Sequence, residues 1–341
     1  MRIGVDLISG ESAMENLVEG CIDAVLTDRE VEVSIFGQSS IFKPILDQKR
    51  TSLKSDKKVI DRISIVESSE VITMNDDPLT VIKQKKDSSI IKGLQAHKNK
   101  EIDAFFSPGN TGAIVVAASL ILGRVKGLKK PALATYMPNI GGNANILLDV
   151  GASAECEAED YLKFAIMGDI YSRELLHNNN PRIGLLNIGE EEHKGTSSVK
   201  AAYKKISESY LNFIGNVEGR DIFSTDVDVI VCDGHIGNIA LKTAEGAGKL
   251  FVNLLKQFIK SDLLASISVP LYKGALKKLL KSTDPEQFGG APLLGVNGNV
   301  YIGHGSSGRD AIKYGILAAS HAVKSDVLGK INRKMKDMHL A

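Results

Sequence analysis

No run of about 18 or more apolar residues occurs in the 341-residue chain, so no transmembrane span is expected. An excess of one charge is missing too. Lys and Arg total 42 against 41 Asp and Glu, a formal net of +1, so no global pull toward nucleic acid exists. Cysteine is scarce, and Cys21, Cys156 and Cys232 are far apart with no CxxC. That excludes a disulfide framework and a zinc-type metal site, and it points to buried thiols in a reducing compartment. The opening Met1-Arg-Ile-Gly-Val-Asp6 carries an acid at once and lacks a signal-peptide core, so a cytoplasmic protein is expected. No internal repeat or low-complexity linker marks a boundary, so residues 1–341 read as a single α/β domain.

What is present is apolar: 43% hydrophobic residues, enough to bury a large core. The chain centres on Pro181 to Glu245, where three similar units follow one another. They are Arg182–Glu191, Leu211–Asp221 and Val227–Asn238, each an apolar run that switches abruptly to Gly, Asn, Glu or Asp. Such runs read as buried strands. Polar residues at the carboxyl ends of parallel strands converge on a ligand crevice. The site of an enzyme is the expectation.

Other strands are expected at 2–7, Val31–Phe36, Ile63–Val66, Ile102–Phe106, Ala132–Met137, Asn145–Val150 and Val300–Ile302. Helices are expected at 13–27, after Pro78 with a break near Lys85–Ser89, and at Ile90–Lys98, Ile114–Leu122, Glu159–Leu176 and Asp310–Ala322. Residues 43–62 read as a Lys-rich surface excursion. The alternation implies one three-layer, open, mostly parallel sheet with helices on both faces.

Two turns stand out. Ser107-Pro-Gly-Asn-Thr-Gly-Ala113 links a strand to a nearly all-apolar helix, which suits a phosphate or oxyanion seat, because free N–H groups and the helix dipole favour an anion. A tight turn with Asn110 as N-cap is the plainer reading. Gly303-His-Gly-Ser-Ser-Gly308 repeats the strand–turn–helix arrangement, with His304 inside it. From 245 to 285 a helical hairpin is expected, with helices at 249–260 and Pro270–Lys281, and residues 249–281 hold seven lysines against one aspartate. Its tip, Leu263, Leu264, Ile267 and Val269, suits either anionic lipid or packing between two copies.

Ser107-Pro-Gly-Asn-Thr-Gly-Ala, Leu148-Asp-Val-Gly-Ala, Gly184-Leu-Leu-Asn-Ile-Gly-Glu-Glu, Phe213-Ile-Gly-Asn-Val-Glu-Gly-Arg-Asp, Cys232-Asp-Gly-His-Ile-Gly-Asn, Gly289-Gly-Ala-Pro-Leu-Leu-Gly and His304-Gly-Ser-Ser together resemble the PlsX-type phosphate acyltransferases. Order and spacing match from about residue 100 to 320, and Ile3-Gly-Val-Asp6 fits as well. The chain departs where the family has Gly-Gly-Asp and a nearby Pro, carrying Leu7-Ile-Ser-Gly-Glu-Ser instead. Glu155 and Ala158 replace an Asp and a Pro, and His235 replaces an apolar or aromatic residue.

The resemblance implies a fold like those of phosphotransacetylase and isocitrate dehydrogenase, a homodimer, and no metal or organic cofactor. It implies transfer of a fatty acyl group from acyl carrier protein to inorganic phosphate. The acyl phosphate passes to a membrane glycerol-3-phosphate acyltransferase, with peripheral membrane contact. Within that reaction Gly109, Asn110, Thr111 and Gly112 are candidates to hold phosphate or the oxyanion, joined by Ser306 and Ser307. Lys194 would neutralise phosphate, His304 would protonate the leaving thiolate, and Asp233 would orient His304. Asn216, Glu218 and Asn238 complete the crevice, Lys242 lies one helical turn beyond, and Glu218 would position Lys194. A coenzyme-A-dependent phosphotransacylase and a non-catalytic lipid-surface scaffold are the rival readings.

Overall fold

Runs of Val, Ile, Leu and Phe without polar alternation make strands covered on both faces. β4 (Ala104–Ser107) and β7 (Ile183–Leu186) are buried at every position. They join β1 (Arg2–Asp6), β2 (Glu32–Gly37), β3 (Ile63–Glu67), β5 (Ala132–Pro138), β6 (Ala144–Leu148), β8 (Phe213–Val217), β9 (Val229–Val231), β10 (Ala291–Leu294) and β11 (Val300–Ile302) in one 11-stranded sheet. Its order is β3-β2-β1-β4-β11-β10-β5-β6-β9-β7-β8. The computed structural model describes residues 1–10, 12–52, 57–261, 272, 274 and 289–340.

The sheet has two parallel blocks. β3, β2, β1, β4 and β11 form one, and β6, β9, β7 and β8 form the other. Between them β10 pairs antiparallel with β11 and β5, and β5 pairs antiparallel with β6. Three reversals set the second block against the direction of the first. The sheet is mostly parallel, as expected, with an antiparallel seam.

Helices α1 (Met14–Thr27), α2 (Ser39–Ser52), α6 (Ala158–Leu175), α7 (Ser197–Ser207), α9 (Arg309–Lys324) and α10 (Val327–Leu340) cover one face. Helices α3 (Pro78–Gln84), α4 (Ser89–Lys98), α5 (Thr111–Ile121) and the first turns of α8 (Gly234–Ser261) cover the other. Strand alternation divides the core between them: Phe106 faces the first layer and Phe105 the second. At the seam, Tyr136 of β5 donates to the Tyr171 hydroxyl of α6 at 3.1 Å, and Tyr171 lies 3.4 Å from the Tyr301 hydroxyl of β11. Buried phenols need such partners, and these tie the two blocks together.

Three features differ from the sequence reading. Residues 43–62 are not an excursion but most of α2 and a 3-10 helix, Lys57–Arg62. Phe42, Ile45 and Leu46 are buried at helical spacing, Lys49 continues their stripe to pair with Glu19 of α1, and Lys43 is exposed. β10 was unexpected because Pro292 and two preceding glycines read as a loop, yet Pro292 pairs with Tyr301. The helix expected at 249–260 begins instead at Gly234, directly after β9. Most of the expected hairpin tip and the second hairpin helix, Pro270–Lys281, lie outside the described residues. No helix among the described residues is long and apolar enough to cross a membrane.

His97, at the end of α4, fastens the β10–β11 connection. Its Nε2 accepts the Asn299 N–H at 2.9 Å, so Nδ1 carries the proton and donates to the Ile102 carbonyl at 3.1 Å. Burial lowers its pKa below the ordinary 6.5, partly opposed by the Ile102 carbonyl and Asp103. The unfolded chain therefore binds this proton more readily. The stability from neutral His97 is complete above about pH 6.5 and is lost as pH falls through the lower folded value. Urea unfolding at pH 7.5, 6 and 5 should show that loss, and His97→Gln should remove this part of the slope. An unchanged slope in the variant would show that His97 does not carry it.

Candidate active site

Each site turn begins where a strand leaves the sheet. In the first block, β4 ends in the Ser107–Thr111 turn and β11 ends in the Gly303–Gly308 turn. The Gly303 N–H donates to the Ser107 carbonyl at 2.9 Å, so the two turns lie side by side. Asn110 is the N-cap of α5. Its Oδ1 accepts the Ala113 N–H at 3.1 Å, and its Nδ2 donates to the Thr73, Met74 and Asp76 carbonyls. The Gly109 N–H is also turned inward, onto Ser107 Oγ at 3.1 Å. Of the first helical amides, Thr111 and Gly112 are left without an acceptor among the described residues. Those two N–H groups sit at the positive end of an 11-residue helix.

In the neighbouring turn, His304 is exposed and its Nδ1 faces Ser306. It lies 2.8 Å from Ser306 Oγ and accepts the Ser306 N–H at 3.3 Å. A backbone N–H can only donate, so the neutral imidazole holds its own proton on Nε2, pointing away from the turn. Ser307 is buried. The Ser12 hydroxyl donates to the Ser306 carbonyl at 3.3 Å and fastens the turn to the β1–α1 loop. Gly303–Gly308 has GxGxxG spacing between a strand and a helix. The sequence reading did not use this signal of close backbone approach to an anion.

The second group lies at the ends of β6, β9, β7 and β8. Asp233 accepts the Ile236 N–H at 2.8 Å and the Tyr161 hydroxyl at 3.0 Å. Burial, and next the Asp233 carboxylate, raise the Tyr161 pKa and keep the phenol protonated. Asp149 accepts four backbone N–H groups, from Leu133, Gly151, Ala152 and Ser153, while burial pushes its carboxyl up to about 6. Asn238 lies against Gly151. Tyr161 was not singled out from sequence, because its contact with Asp233 joins residues 72 positions apart.

Asn216 Nδ2 donates to the Glu191 carbonyl at 3.0 Å, and its Oδ1 is buried with no partner among the described residues. Glu218 pairs with Arg220 at 3.1 Å, and Lys242 pairs with Glu245 at 3.0 Å. Lys194, by contrast, has no carboxylate partner among the described residues, and the Asn187 side chain holds its carbonyl at 3.1 Å. Around the first group, Lys85, Lys92 and Arg309 are each engaged by carboxylates. Among the described residues no hydrogen bond or ion pair joins the two groups, so His304 has Ser306 as its neighbour and Asp233 has Tyr161.

No cluster of three or more His, Cys, Asp or Glu among the described residues is arranged to hold a metal ion. All three cysteines are buried, and burial pushes the Cys156 thiol up to about 12 and Cys232 well above its ordinary value. None is a ready thiolate nucleophile.

The family described as fatty acid synthesis protein matches residues 1–330. A phosphate acyltransferase of Thermoanaerobacter pseudethanolicus is 38% identical over 338 residues, covering 99% of this chain and 98% of that protein. One from Halothermothrix orenii is 41% identical over 337 residues, covering 98% of each. Among solved structures, a phosphotransacetylase from Streptococcus pyogenes superposes with a TM-score of 0.58 at 16% identity, over 95% of this chain and 94% of that one. A branched-chain phosphotransacylase from Enterococcus faecalis gives 0.56 at 11%, over 95% and 99%. Those structures share the fold.

Proposed function

The chain belongs to the phosphate acyltransferase family, and we propose that it moves a fatty acyl group from the thioester of acyl carrier protein to inorganic phosphate. Acyl transfer to phosphate is the family's reaction and makes this chain an acyltransferase of fatty acid and phospholipid synthesis. The carrier-protein donor, the assignment of residues and the partners are the proposed part.

The observation that carries the reading is the pair of free amides, Thr111 N–H and Gly112 N–H, in a turn that adjoins His304. Phosphate at neutral pH already bears the negative oxygen that attacks, so no strong base is needed. Its oxygen bonds to the thioester carbonyl carbon, and the carbonyl oxygen takes the charge. Collapse breaks the C–S bond, and the departing sulfur takes the Nε2 proton from the imidazolium form of His304, whose Nδ1–H turns to the Ser306 hydroxyl, leaving a neutral imidazole. The products are acyl phosphate and free carrier thiol. Thr111, Gly112, Ser306 and Ser307 hold phosphate or the oxyanion, while Gly109 and Asn110 shape the turn that presents them. Preorganised donors of this kind contribute the larger share of the rate.

Lys194 follows β7, whose carboxyl end faces away from that of β4, so within one chain the amides and serine hydroxyls of the first group meet the phosphate without it. Asn216 Oδ1 and Asn238 line the second edge, where Asp233 is a further polar contact. A second copy of the chain covers the exposed α8 residues Leu250, Phe251, Leu254 and Phe258. The lysine-rich segment 249–281 meets anionic lipid or a membrane glycerol-3-phosphate acyltransferase.

Hydroxylamine trapping of acyl phosphate tests the donor. Hydroxamate should form from acyl-carrier protein above enzyme-free and phosphate-free controls. Product from acyl-coenzyme A alone would make the chain a coenzyme-A-dependent phosphotransacylase. Product from neither would overturn the reading.

A further inference from the structure

We infer that Asp6 is a positioning residue for phosphate, setting the Ser107–Gly112 turn through the Ser107 hydroxyl and requiring a carboxylate to do so. The inference rests on the reading above that Thr111 and Gly112 present their amides to phosphate.

Asp6 ends β1 and is 0% exposed. No Lys or Arg among the described residues bonds to it. A buried carboxylate without a cation is costly unless donors surround it. Burial pushes its pKa up, and the donors around it oppose that: Ser107 Oγ–H at 2.7 Å on Oδ2, the Ile8 and Ser9 N–H groups at 3.2 Å and 3.3 Å on Oδ1, and the Ser89 and Ser9 hydroxyls. A carboxylate can only accept, so the Ser107 hydroxyl must point its one hydrogen at Asp6. The lone pairs of that oxygen are then fixed toward the turn, and one receives the Gly109 N–H at 3.1 Å.

This relay decides which amides of the turn remain free. Gly109 N–H is consumed by Ser107, Ala113 N–H by Asn110 Oδ1, and Ile114 N–H by the Asn110 carbonyl. Asn110, Thr111 and Gly112 remain without an acceptor among the described residues, consecutive and at the helix start. Packing reinforces the link, because Ser9 Cβ lies against Gly109 and Pro108 lies against Gly10. The β1 and β4 loops are therefore packed against each other.

An amide of the same shape, as in Asp6→Asn, cannot replace the carboxylate. If the amide oxygen faced the Ile8 and Ser9 N–H groups, the NH2 would point at Ser107 Oγ and displace the hydroxyl hydrogen. If the amide were turned the other way, the NH2 would oppose two N–H groups. Either arrangement reverses or breaks the polarity of the relay.

The test compares Asp6→Asn, Ser107→Ala and the double variant with the wild type. Inorganic phosphate binding is followed by titration calorimetry, and kcat and both KM values by acyl phosphate formation. Each single variant should weaken phosphate about tenfold or more, with KM for the acyl donor and the thermal midpoint little changed. The double variant should be no worse than the weaker single, because both act through one relay. Unchanged phosphate affinity in the folded single variants, or additive losses in the double, would overturn the inference. Should Asp6→Asn not fold, Ser107→Ala decides alone. If wild type binds phosphate, the variants weaken it, and no acyl phosphate forms, the proposed reaction fails while Asp6 keeps its role.

Discussion

Alanine at His304 is expected to lower kcat for acyl phosphate formation by about 10²–10⁴, the usual contribution of a positioned general acid. Phosphate affinity and thermal midpoint should stay close to wild type. The side chain is exposed and bonds only within its own turn, so its removal opens no core cavity. The geometry also predicts how the loss depends on the donor. A free thiol has a pKa of about 8.5, so the departing sulfur benefits from a proton. An acyl donor with a more acidic thiol needs that proton less, and the deficit of His304→Ala should shrink with it. Measuring kcat for both donors separates acid catalysis from simple contact. An equal deficit with both would remove the proton-transfer role, and no deficit would remove His304 from the mechanism.

Gly237→Ala should be among the most damaging single substitutions in the chain. Gly237 lies in the first turn of α8, where a Cβ would fall 1.9 Å from the Asp149 carbonyl oxygen and 2.8 Å from Cys232 Sγ. The first of these is backbone, held by the Cys232 Sγ contact at 3.3 Å and by the Asp149 N–H bond to the Cys232 carbonyl at 3.1 Å. It cannot swing aside as a side-chain end would. A backbone shift of that kind costs about 3 kcal/mol or more. The thermal midpoint should fall by roughly 10 °C, given about 2–4 °C per kcal/mol for domains of comparable size, or the protein should be recovered insoluble. A folded variant within about 2 °C of wild type would show that α8 can lift off the Asp149 loop at small cost.

Much of the fold is legible along the chain, because a parallel strand is a local event. Ile183–Leu186, Phe213–Val217 and Val229–Val231 each end in polar residues, and each unit became a strand with its turn at the carboxyl end. Elements that depend on distant partners are less visible. β10 needs β5 and β11 on either side before Pro292 makes sense as strand, and α2 hides three buried side chains among lysines. The same limit applies to the site. Asn110 is motif-like in sequence, but its three carbonyl acceptors come from residues 73, 74 and 76. The Asp6–Ser107 bond joins residues 101 positions apart. The split into two groups follows from the reversal of strand direction at β10, β5 and β6, which no single segment encodes.

The order of the sheet also bears on how the protein is made. β11 is the strand that closes the first block, pairing Val300 with Phe105 of β4. During synthesis at about 5–20 residues per second, β4 emerges on the order of ten seconds or more before its outer neighbour exists. Through that interval the nascent chain presents an Ala-Phe-Phe-Ser strand with one unpaired edge, the kind of surface that recruits other strands. The amino-terminal block is therefore the first to be made and among the last to be sealed, and the nascent chain depends on protection of that edge until its final fifty or so residues arrive.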